Sequence, residues 1–179
     1  MARTTFQGPV RSLGGIYQQG PATVVEVTAS TTLDPVAHAG RIISVGGSLA
    51  ANVVLTLPSI NVSTNSITSG PGQDPNTLNN EGVVYTIWVP TTISTSSLKI
   101  GTDGTDKFVG SVISVDTDSS GAVVGFTAAS TNDFINLNGT TTGGVAGTRV
   151  QIVAIAANKY MVTGVVLGSG TVATPFADA

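Results

Sequence analysis

The chain has 179 residues, 41% of them apolar, which is enough for one domain with its own core. Only 9% are charged, against about 25% in an average soluble domain, and the net charge is −3. The seven Lys and Arg are scattered, so no cationic cluster faces a nucleic acid. There is no Cys for disulfides or thiolate metal sites, and no apolar run nears the ~20 residues that cross a bilayer.

Thr, Ser, Asn and Gly must cover the surface that charge leaves bare. That suits a pleated sheet with hydroxyls outward and Val and Ile inward. It also suits a particle component whose weakly charged faces lie against neighbours. The opening MARTTFQGPVRSLGG lacks the apolar stretch of a signal peptide, so use in a cytoplasm, or assembly there into something released by lysis, is expected.

In chain order, residues 1–21 carry Gly8-Pro9, Gly14-Gly15 and Gly20-Pro21 and few core residues, and read as an extended N-terminal arm. Strands are predicted over 22–29, 41–45, 52–57, 82–89, 97–100, 107–115, 122–127, 132–137, 149–156 and 159–167, from runs of β-branched residues bounded by Gly, Pro, Asn and Asp. Val53, Leu55 and Leu57 face inward if Val54 faces out. In 149–156 both faces are apolar, which predicts a strand buried in a sandwich and also under a subunit contact. Ala157-Asn158 predicts a tight hairpin, and DTDSSG at 116–121 a second one. Residues 58–81 form a long irregular loop. The domain therefore spans 22–167, followed by a flexible tail over 168–179. The predicted fold is all-β, a jelly-roll-like sandwich, with a small barrel as the alternative.

Little chemistry is written into this scaffold. Asp116, Asp118 and Ser120, followed by Gly121, match the start of a Ca²⁺ loop, but the twelfth position is Thr127 rather than Glu. A polar hairpin turn explains the same residues. GSGTVA at 168–173 fits a loose dinucleotide fingerprint, yet only six residues follow, one of them Pro175, so the helix that motif needs has no room. Ser48 in GGSLA precedes a strand-like run rather than a helix. The lone His38 lies in a turn-like DPVAHAG. Trp88, beside Tyr85 and Ile87, is expected in the core rather than as a sugar-stacking platform. No catalytic residue, metal or cofactor is assigned.

The segments RTTFQGPVRSLGGI, TDGTDKFVGSVISVDTDSSG and NGTTTGG with VQIVAIAANKYMVTGVVLGSGTVATPF resemble the head decoration (cement) proteins of tailed phages. The likeness covers most of the chain and lies in phrasing rather than in any catalytic motif. It implies a small, β-rich, non-enzymatic homotrimer on the outside of the capsid. Such a trimer clamps the major capsid protein at three-fold positions. On that reading the arm residues Thr5, Phe6, Pro9, Val10 and Arg11 touch the capsid or an adjacent subunit. The rival expectation is a trimeric β-rich receptor-binding or fibre-tip module that recognises host glycans.

Overall fold

The computed structural model describes residues 23–49, 51–63, 79–118 and 121–178. The arm with Thr5, Phe6, Pro9, Val10 and Arg11, the middle of the 58–81 loop and Ser120 lie outside the described residues. The elements run β1 (Val24–Glu26), β2 (Thr31–Thr32), α1 (Pro35–His38), β3 (Ile42–Ser44), β4 (Val53–Thr56) and β5 (Val84–Trp88). They continue with β6 (Leu98–Gly101), β7 (Lys107–Asp116), β8 (Val123–Thr127), β9 (Phe134–Leu137), β10 (Arg149–Ala156), β11 (Lys159–Gly168) and β12 (Phe176–Ala177).

Two sheets form a sandwich. The large sheet has the order β1-β3-β5-β10-β11-β7-β8, and the small one β12-β9-β6-β4-β2. From β1 to β6 the chain crosses from one sheet to the other at every strand. Each return to a sheet therefore runs in the same direction as the last visit, and β1, β3 and β5 pair in parallel, as do β2, β4 and β6. The later strands form the expected hairpins β7–β8 and β10–β11, which join through a parallel β11–β7 ladder. The all-β sandwich expected from the sequence is present. Its sheets mix parallel and antiparallel pairs, whereas a jelly roll is antiparallel throughout.

The core lies between the sheets. Ile43, Tyr85, Ile87, Val150, Ile152 and Val162 face it from the large sheet, and Leu55, Leu98, Ile100, Ile135 and Leu137 from the small one. Each such side chain contributes about 1.5–3 kcal/mol relative to exposure. Val53, Leu55 and Leu57 are buried and Val54 is half-buried, as the alternation required. The β10–β11 turn places Asn158 at φ 61, a left-handed conformation that Asn tolerates.

Three local expectations are corrected. The closing segment is not wholly a flexible tail. Phe176 is buried, and β12 pairs antiparallel with β9. Trp88 is not in the core: alternation puts Tyr85 and Ile87 inward and leaves Trp88 outward, 38% exposed. Residues 35–38, read as a turn, form one helical turn. Asp34 caps it by accepting from the Val36 and Ala37 amides at 2.6 and 3.3 Å, with Pro35 at the first position.

Candidate interaction face

The outward side of the large sheet collects what the core does not use. Strand register sets its residues in rows. One row runs Ser44, Trp88, Arg149, Val165, Ile113 and Gly125 from β3 to β8. The next runs Ile42, Thr86, Gln151, Thr163, Ser111 and Thr127, with Val24 of β1 beside Ile42. Val84, Val153, Met161 and Val109 make a third. The hydroxyls and one amide of the middle row thus lie between Trp88, Val165 and Ile113 on one side and the apolar third row on the other.

Of the eleven exposed large hydrophobics among the described residues, eight sit here, including Trp88, Ile113, Val123, Met161 and Val165. They gather on one sheet face rather than lying scattered singly over the surface. At the centre is a shallow depression of ≈ 170 Å³, lined by Arg149, Gln151, Thr163, Gly164 and Val165. Gly164 permits the close approach beneath it, because a Cβ there would run into the Arg149 carbonyl and the Val150 Cα. Alternation in β10 predicted two apolar faces, and the structure places Val153 and Ile155 on the outer one.

The residues weighed for chemistry serve the fold. Asp116 is buried, and its Oδ1 accepts from the Asp118 amide at 3.0 Å. Asp118 Oδ2 accepts from the Gly170 amide at 2.7 Å, which ties the β7–β8 turn to the closing segment. Among the described residues no three His, Cys, Asp or Glu gather as a metal site would require. His38 Nδ1 accepts from the Asp34 amide at 2.8 Å and locks the helical turn. Ser48 forms an isolated bridge with Ser94 and precedes no helix.

A polar cluster in the turn between β6 and β7 anchors the start of the 58–81 loop. The Asp106 carboxylate accepts from the Ile60 amide at 2.9 Å, and Asp103 accepts from the Ser59 hydroxyl at 2.6 Å. Burial raises the Asp106 pKa, against the pull of the Ile60 amide and with a push from the Asp103 charge. Burial also works against the Asp103 charge, but the Ser59 hydroxyl and the Asp106 and Thr105 amides outweigh it and hold its pKa low. Tyr160 reaches up from β11 and donates to the Pro58 carbonyl at 2.6 Å. Comparison with protein-family models, curated proteins and solved structures finds no match.

Proposed function

We propose that the chain is a non-enzymatic virion structural protein, a capsid decoration or cement protein. It binds as a homotrimer at three-fold positions outside a phage head, partnered with the major capsid protein. The observation that carries the reading is the outer face of the large sheet, where eight of the eleven exposed large hydrophobics among the described residues gather, in a chain only 9% charged. Such a face buries against sister subunits or shell without desolvating many ions. Modest binding energy per copy, multiplied over many linked contacts, suffices to brace a shell. The family likeness in the sequence supplies the three-fold position and the trimer. The proposal extends to the arm, whose Thr5, Phe6, Pro9, Val10 and Arg11 contact the capsid.

The test is mixing. Purified protein is added to expanded shells that lack it, and the particles are imaged by cryo-electron microscopy. Density at three-fold positions is expected. Trp88→Ser should lower occupancy several-fold while leaving the fold intact, and deletion of residues 1–20 should do the same. Bare shells would overturn the proposal.

One observation favours a second reading, glycan recognition by a receptor-binding module. Trp88 is exposed and stands directly opposite Arg149, beside the central depression. An indole next to a guanidinium and an amide stacks and bonds a sugar ring. Binding to purified host surface polysaccharide that is lost in Trp88→Ser, with shells left bare, would select that reading.

A further inference from the structure

We propose that β8 pairs edge to edge with the β8 of a second copy of this chain, antiparallel about a two-fold axis at Gly125. This goes beyond the proposed function, because a two-fold strand contact differs from a three-fold one and holds whether or not the chain decorates a shell.

Among the described residues the sandwich has four edge strands. β2 and β12 are two residues long, and β1 is three residues long and carries the exposed Glu26. These edges are too short or too charged to template a partner. β8 is five residues long, and GAVVGFTAA over 121–129 contains no charge and no Pro. Val123 on it is 66% exposed, the highest figure for any large hydrophobic among the described residues. An unguarded apolar edge of this length invites pairing.

The ladder shows what the edge offers. The Asp116 amide donates to the Ala122 carbonyl at 2.8 Å and the Ala128 amide to the Gly110 carbonyl at 3.0 Å. In an antiparallel pair, bonded and non-bonded positions alternate. Ala122, Val124, Phe126 and Ala128 therefore bond β7, while Val123, Gly125 and Thr127 turn their amides and carbonyls to the open side. That set is symmetric about Gly125. Two copies placed antiparallel set Val123 opposite Thr127 of the second copy and Gly125 opposite its own counterpart, and the two seven-stranded sheets become one.

Gly125 is the second observation. Its φ is not positive, and a Cβ added to it meets nothing within 4 Å. The fold of a single copy does not require glycine there, although glycine weakens a strand by about 0.5–1 kcal/mol. In an antiparallel pair centred on Gly125 the two central Cα atoms lie about 5.5 Å apart, and glycine leaves no side chains there to crowd the two-fold axis. The strand pair alone buries less than the ~800 Å² per partner of a stable complex, so association is expected at micromolar rather than nanomolar concentration.

The experiment follows amide exchange and sedimentation of the full chain from about 5 μM to 1 mM, the span over which a micromolar pair fills. The expected result is added mass with rising concentration, with exchange slowing at Val123, Gly125 and Thr127 and not at Val124 or Phe126. Gly125→Pro removes the central outward N–H without touching a β7 bond, and Val123→Lys guards the edge. Each should abolish both signals and leave the melting temperature within a few degrees. Exchange at the three amides that is fast and independent of concentration overturns the proposal. So does protection at every concentration that disappears on deletion of residues 1–20, which would assign the edge to the chain's own N-terminal segment.

Discussion

Tyr85→Phe and Tyr160→Phe remove the same hydroxyl from two rings in one core, and their surroundings give the changes opposite signs. Both rings are fully buried. Burial raises the pKa of each above its ordinary value, helped at Tyr85 by the Asp34 charge and at Tyr160 by Tyr85, Asp106 and Asp103. The Tyr160 hydroxyl donates to Pro58, 102 residues away in the chain. The Tyr85 hydroxyl has no hydrogen-bond partner among the described residues. A buried hydroxyl left unsatisfied costs about 1–3 kcal/mol, and a made bond contributes about 0.5–1.5 kcal/mol. Tyr85→Phe should therefore stabilise by about 1 kcal/mol. Tyr160→Phe should destabilise by about 1–2 kcal/mol, because it loses a bond and strands the Pro58 carbonyl. For a domain of this size 1 kcal/mol moves the melting temperature by about 2–4 °C, so thermal and urea unfolding of the two variants should separate by ~5 °C or more. Loss of stability in Tyr85→Phe would refute the reasoning, since it would mean that this hydroxyl is satisfied in the native core.

Two further substitutions probe the charged groups. Asp106→Asn keeps an oxygen for the Ile60 amide and removes a carboxylate whose folded pKa is raised. A raised pKa favours the folded state below the unfolded value and withdraws that favour as pH rises through the folded value, so the native charge is a burden at pH 7. The Asn variant should gain stability relative to the parent at pH 7 and lose that advantage near pH 4; an equal shift in melting temperature at both pH values would contradict this. Lys107 Nζ lies 2.7 Å from Asp133 Oδ2, with the Lys side chain one-third exposed and the Asp nearly covered. Lys107→Ala should cost about 1–2 kcal/mol in urea unfolding, between the values of surface and buried pairs, and a neutral result would show that Asp133 is held by its other contacts.

Every one of the ten strands predicted from apolar runs appears, because runs such as RVQIVAIA carry both β-propensity and period-2 alternation. β2 and β12 were not legible, since two residues make no period. The wiring was not legible either. Val53-Leu55-Leu57 and Tyr85-Ile87 read alike as inward sets, and nothing in alternation says that they enter the core from opposite sheets. Trp88 was misplaced for a different reason. Its neighbours suggested a core cluster, yet it sits one position from Ile87, and that parity alone turns it outward. The interaction face was half legible. β10 announced two apolar sides, but only the register aligned its outer side with Trp88, Met161 and Ile113. The Asp116–Asp118 turn carried a ligand-like spacing, and in the fold one oxygen of each carboxylate accepts from a backbone amide.

The ten-pair parallel ladder between β7 and β11 has a consequence for how the chain reaches its native state. Its partners are separated by 52 positions throughout, from Lys107 with Lys159 to Asp116 with Gly168. Each strand also belongs to a hairpin, and hairpins close in microseconds from local sequence. The seam between them must wait until both exist and then align in register over ten residues, at the entropic cost of a long loop. The β7–β11 seam is therefore expected to form by the docking of two hairpins already in place. Until that step, β7 and β11 each present a strand edge twice the length of β8, so the interval before docking is when the chain is most exposed to pairing with the wrong partner.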